Sequence, residues 1–284
     1  MPGEHVSWFP SRQLRPLSAR FYGYRYGAEG FAIHRGLPST AMTVVMSFTR
    51  PLDVGWLGES DSRVRLWGLA SGLHTKPAEI FQQGEQFGIQ IDLTPAGARK
   101  LLGLPMGALA RELVALDDLL PAWAAGWHEH IAGQPTWARR FEALDRLLLK
   151  LAAAGADQQG SRVRPELAWA WSRIDSTGGR ERVSSLADKL GWSRRHLHQQ
   201  FHSEYGIAPK QAVRIVRFQR SLTLFGAQGH ALGEVAGRCG YADQAHLTRE
   251  WRSLAGYSPW QWKRMEFPFL QDDGQAGLPE STHE

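Results

Sequence analysis

The sequence predicts an α+β chain: a β-rich barrel or sandwich, followed by an all-α domain with two tandem helix-turn-helix units. Three observations carry that reading. Phe87, Ile89, Ile91 and Leu93 alternate with Gly88, Gln90 and Asp92, as a half-buried strand requires. Further on, Trp137, Phe141, Leu144, Leu148 and Leu151 recur at four-three spacing, which is a helical stripe. In the last third, a pattern of alanine, glycine, aromatic and proline residues recurs at an interval of about fifty residues, and repeats at that period are supersecondary units.

The β-rich domain is placed at 1–125. Thr43 to Phe48 and Val64 to Trp67 are further strand candidates, and Thr94-Pro95 supplies a cap and a first-turn proline for a short helix ending near Leu102. Residues 126–165 form a helical segment and linker. The stripe in the helix 136–154 either pairs with a second subunit in a homodimer or packs on its own β-domain. Gly155 to Ser161 has linker composition, 166–267 is the all-α domain, and 268–284 is an acidic tail expected to be disordered.

Composition narrows the function classes. A chain of 284 residues, 43% of them hydrophobic, can bury two cores. Its start, MPGEHVSWFPSRQL, lacks the basic-then-apolar order of a signal peptide, and no apolar run reaches membrane-spanning length, so a cytoplasmic protein without a membrane partner is expected. The single Cys239 excludes an internal disulfide and a cysteine-based zinc finger. His198 and His202 have metal-pair spacing without a third ligand, and His74 and Glu79 stand together with His34 far off, so neither a metal, a cofactor nor a catalytic set is expected. Trp56, Trp67, Phe81 and Phe87 either line an apolar pocket or fill a core. The net charge of +5 is unevenly spread: residues 166–267 hold 15 Lys+Arg against 9 Asp+Glu, while the last 17 residues hold four acids and no base. A basic all-α domain points to nucleic acid.

The repeat has fixed internal offsets. Ala187-x3-Gly191-Trp192 returns as Ala236-x3-Gly240-Tyr241, and His196-Leu197-x3-Phe201-x4-Gly206-x2-Pro209 returns as His246-Leu247-x3-Trp251-x4-Gly256-x2-Pro259. A glutamine, Gln211 or Gln261, follows each proline by two. The small alanine allows close helix approach, and the first glycine suits a left-handed turn. Ser193 and Asp243 can cap new helices beginning near 194 and 244. Gly-x-x-Pro then ends each helix and opens the next. Pro209 to Phe225 reads as one long connector, able to hold two recognition helices on successive major-groove faces roughly 34 Å apart. Arg217, on that connector, fits an internal ion pair or a phosphate contact equally well.

Leu197 and Phe201, or Leu247 and Trp251, define the buried side of each second helix. The opposite side then presents Arg194, Arg195, His198, Gln199 and His202 in the first unit, and Gln244, Ala245, Thr248, Arg249 and Arg252 in the second. Arginine suits guanine, glutamine suits adenine, and the alanine and threonine methyls suit thymine, so these ten are the candidate DNA-binding residues.

Ala236-x3-Gly240-Tyr241-x-Asp243-x-Ala245-His246-Leu247-x-Arg249-x-Trp251-Arg252-x3-Gly256-x-Ser258-Pro259-x2-Trp262 resembles the signature of the AraC/XylS family of bacterial transcription regulators. The resemblance covers 166–266. It implies a seven-helix domain whose two recognition helices enter the major groove, with base-reading positions at Arg195, His198 and Gln199 and at Gln244, Ala245, Thr248 and Arg249. It also implies a cupin-like N-terminal domain that binds a small-molecule effector or dimerises, double-stranded DNA and RNA polymerase as partners, and a role as an activator. Leu232-Gly233 and Trp262-Lys263 depart from the family pattern without removing a turn or cap. The rival reading is a cupin-type enzyme or sugar-binding module fused to a DNA-binding domain. A repair methyltransferase would need a reactive exposed cysteine, which Cys239, inside a helix, does not offer.

Overall fold

Alternation along Gln86–Leu93 fixes the centre of the β-domain. The computed structural model describes residues 4–27, 31–155, 162–226 and 230–265. With strands numbered in chain order, one antiparallel sheet runs β1 (Glu4–Trp8), β2 (Ser18–Tyr26), β9 (Gln86–Leu93), β4 (Met42–Ser47), β7 (Gly68–Ser71) and β10 (Val114–Ala115). The second runs β3 (Phe31–Gly36), β8 (Ala78–Gln83), β5 (Leu52–Trp56) and β6 (Glu59–Leu66). Leu52, Val54, Trp56 and Ala78 of the second sheet pack on Leu69 and Val45 of the first, closing a sandwich.

The first sheet's other face is apolar too. Val44 pairs with Ile91 and Met46 with Ile89, so these side chains share a face, and all four are buried. Helices α1 (Pro95–Leu102), α2 (Trp127–Ala132) and α3 (Trp137–Ala154) cover that layer. Thr94 caps α1 by accepting the Gly97 amide at 3.0 Å, and Gly103 ends it in a left-handed conformation. The stripe on α3 turns toward this sheet: Phe141 and Leu144 are wholly buried, and Trp137 lies across Gly23 of β2. Of the two alternatives for this stripe, packing on its own β-domain is the one the buried residues show.

The four aromatics read as one possible pocket are dispersed. Trp56 lies between the sheets, where its Nε1 donates to the Arg111 carbonyl at 2.9 Å. Phe81 lies beneath the Arg63 guanidinium, Phe87 packs edge-on against Phe48 and Trp137, and Trp67 is half exposed. Period-two alternation sends neighbours to opposite faces, so aromatics close in sequence need not meet.

Among the described residues seven helices follow: α4 (Pro165–Ser176), α5 (Val183–Lys189), α6 (Arg194–Tyr205), α7 (Pro209–Gly226), α8 (Leu232–Cys239), α9 (Gln244–Ala255) and α10 (Pro259–Met265). The connector α7 buries Val213, Val216, Phe218 and Phe225. Residues 156–161 of the proposed linker and the acidic tail 268–284 lie outside the described residues. Among the described residues no helix is long and apolar enough to cross a membrane.

Candidate nucleic-acid interface

The two units have matching local geometry. In each, the residue after the turn glycine donates its amide to the alanine five residues back at 2.9 Å: Trp192 to Ala187 and Tyr241 to Ala236. Gly191 and Gly240 both have positive φ, which a residue with Cβ adopts only at a cost. Ser193 and Asp243 then cap α6 and α9 by accepting the His196 and His246 amides. The two recurrent glutamines close the following helices in the same way: Gln211 Oε1 accepts the Ala208 amide at 2.7 Å and Gln261 Oε1 the Ser258 amide at 2.9 Å. Both are side-chain caps that satisfy donors left open at a helix start.

The candidate DNA-binding residues share exposed faces. Arg194, Arg195, His198, Gln199 and His202 are all exposed along α6, and Gln244, Ala245, Arg249 and Arg252 along α9. Thr248 is only half exposed, and its hydroxyl donates back to the Gln244 carbonyl at 2.9 Å, leaving the methyl as its outward group. The His198 and His202 rings lie parallel, 6.2 Å apart. His196 and His246, at the shared repeat position, pack edge-on against Trp192 and Tyr241 instead.

Charge is sorted between the inside and outside of these helices. The sole acid within α6, Glu204, and the sole acid within α9, Glu250, are both buried. Glu250 accepts from Arg214 at 2.9 Å and lies 3.6 Å from Arg217, which also sits over the Tyr241 ring. That places Arg217 in an internal ion pair rather than on the outer surface. Glu181 is ringed by Arg173, Lys189 and the Ser185 hydroxyl, which pull its carboxyl down to about 2. By contrast, Arg194, Arg195, Arg249 and Arg252 make no ion pair among the described residues. Cations are left outward and anions are neutralised inward, which is the surface a polyanion requires.

The first unit is not separate from the β-domain. Arg99, on α1, donates to both carboxylate oxygens of Glu204, at 2.9 and 2.5 Å, with Glu204 only 4% exposed. A 3-10 turn at Met106–Leu109 lies against the end of α6. A Cβ at Gly107 would fall 2.5 Å from the Ser203 carbonyl oxygen, so only glycine permits that approach. The second unit is held more lightly: Arg35 of β3 donates to the Ala255 carbonyl at 3.0 Å and covers the Tyr257 ring, while Thr40 donates to Gln219 of α7. Sequence reading missed these groups. One signal was available: Glu204 occupies the repeat position held by Leu254 in the second unit, and a charge where the repeat predicts core calls for an outside partner.

Among the described residues, no group of three or more His, Cys, Asp and Glu is placed to hold a metal. His74 is buried beside the Trp56 ring with Nδ1 2.6 Å from the Lys76 carbonyl, and burial lowers its pKa to about 4. The Cys239 side chain is fully buried, and burial pushes its thiol pKa up, which suppresses the reactive thiolate.

Comparison with known proteins agrees with this geometry. Residues 186–265 match the family described as a helix-turn-helix domain. The chain is 26% identical over 125 residues to the transcriptional activator RhaS of Escherichia coli strain HS, covering 44% of this chain and 45% of RhaS, so the match spans less than half the relative's length. Apo ToxT from Vibrio cholerae strain SCE256 shares the fold over 86% of this chain and 97% of its own, at 11% identity and a TM-score of 0.54. A ToxT structure with unsaturated fatty acid bound aligns over 86% and 95%, at 11% identity and a TM-score of 0.51.

Proposed function

We propose, from the premise that this chain carries an AraC/XylS-type double helix-turn-helix domain behind a β-rich domain, that it is a one-component regulator of transcription. It binds double-stranded DNA sequence-specifically through the outward faces of α6 and α9, acts as an activator in contact with RNA polymerase, and is controlled by a small molecule held in its β-domain. The observation that carries this reading is the exposed arginines on both recognition helices beside inward, neutralised carboxylates. A bound fatty acid in ToxT and the activator role of RhaS support the same class of device. The chain works in the cytoplasm and has no catalytic role. A fused cupin-type enzyme is the weaker reading, since among the described residues no metal cluster is present to serve it.

Selection of bound DNA from a random pool tests the reading directly. The expected site is asymmetric within one protomer, because the α6 face is cationic with two histidines and the α9 face mixes amide, methyl and guanidinium. Replacing Gln244 or Arg249 by alanine is expected to relax preference at particular base pairs at a cost of about 1 to 3 kcal/mol. An unchanged preference would remove α9 from the reading. Affinity should also fall with salt, each neutralised phosphate adding about 0.9 to the logarithmic slope. A flat salt response, measured by fluorescence anisotropy, contradicts a phosphate-based interface.

A further inference from the structure

One opening beside the β-domain lies outside the sandwich, not between its sheets. A cavity of about 560 Å³ opens on the helix-covered face of the first sheet, a size suited to a small organic molecule. Its floor is Met46 and Gly68, its wall is Phe48 and the half-exposed Trp67, and its cover is the stretch from Leu116 to Glu129. The interior of the sandwich, where Trp56, Val54 and Leu69 pack together, is a different space.

The lining has one polarity. Asp117 and Glu129 stand exposed at the edge, and no lysine or arginine lines the cavity among the described residues. Lys150 is held over Trp123, and Arg140 over Phe87 and Trp137, neither as part of the lining. The N-terminus of α2 already has Glu129 in its first turn. His128 is fixed by its Nε2, which donates to the Ser47 carbonyl at 2.7 Å, so Nδ1 is the ring nitrogen left over. Its ring leans against Phe48 and lies edge-on to Trp67. Indole and phenyl faces and two carboxylates favour a ligand with an aromatic body and a positive group. Among the described residues the lining holds no cationic side chain to neutralise a carboxylate.

We propose that this cavity is the effector site and that it takes a small aromatic amine rather than an acid. The proposal rests on the ligand-controlled reading above. It also supplies a route: the stretch that covers the cavity joins through β10 to the 3-10 turn Met106–Leu109 on α6, so an occupant displacing Leu116 to Gly126 acts on the first recognition helix through that strand.

Titration calorimetry on the full chain with tryptamine, phenethylamine, indole-3-acetate and phenylacetate tests it. Each amine has the same aromatic body as one of the acids. The expected result is that both amines bind at millimolar concentration or better, and at least about ten-fold more tightly than their acids. Trp67→Ala, at a half-exposed position, should weaken the amines about ten-fold, and Asp117→Asn with Glu129→Gln should erase the preference over the acids. Equal or tighter binding of the acids, no binding of any probe, or amine binding indifferent to all three substitutions overturns the assignment. Retention of selected DNA is measured in parallel so that the two readings fail separately. Amine binding lost with Trp67→Ala supports the site even where DNA retention is unaltered, and that second outcome refutes control by this site. A chain that retains no DNA refutes the regulator reading and leaves the calorimetry to decide the site.

Discussion

Replacing Arg99 by alanine is expected to destabilise the protein by about 3 to 5 kcal/mol, because it strands the Glu204 carboxylate at 4% exposure with no cation to meet it. The pair joins α1 of the β-domain to α6 of the DNA-binding domain, so the loss should appear in both. Urea denaturation followed by near-ultraviolet circular dichroism reads it. A companion, Arg99→Leu with Glu204→Leu, gives the first unit the leucine its repeat partner has at Leu254, and should recover most of the stability. The two proteins should differ in function, however: the apolar pair restores packing without the bidentate geometry that fixes α6 against α1. A loss below about 1 kcal/mol for Arg99→Ala would mean that Glu204 finds water or another partner, and the brace would not be structural.

That brace shows where the sequence is readable and where it is not. The two units could be read because their determinants are local: a cap, a turn glycine and a proline at fixed offsets decide each helix pair whatever lies elsewhere. The direction of the outward faces followed from the same offsets, since Leu197 with Phe201 and Leu247 with Trp251 fix the inward side. What a buried face packs on is not local. Trp137 to Leu151 shows a stripe, but the sheet beneath it is built from strands as far back as β2, and a second chain would produce the same stripe. Strands such as β1 and β3 went unread because edge position and mixed polarity blur their alternation. Arg99 and Glu204 stand 105 residues apart; only the breach of the repeat at Glu204 marked the place, and nothing marked its partner.

The unequal tethering of the two units has a consequence for folding and for DNA. Leu186, Leu197, Phe201 and Tyr205 of the first unit belong to the same continuous core as the β-domain and α3. The second unit has a core of its own, centred on Trp251, which packs on Phe218, Phe225 and Trp262 and donates from Nε1 to the Ser221 hydroxyl at 2.8 Å. Trp251→Ala is therefore expected to cost about 3 to 5 kcal/mol, as loss of a buried indole does, and to spend that cost locally. Hydrogen exchange should show amides of α8, α9 and α10 losing protection while those of α6 and the central strands keep theirs. Bound DNA should then be protected over the shorter site of the first unit, with affinity near that of a single module. Phe201→Ala removes the equivalent residue from the shared core, and exchange should rise across α6, α4 and the β-domain together. Uniform loss of protection with Trp251→Ala would mean that the two cores unfold as one, and the second unit could not release DNA while the first stays folded against the β-domain.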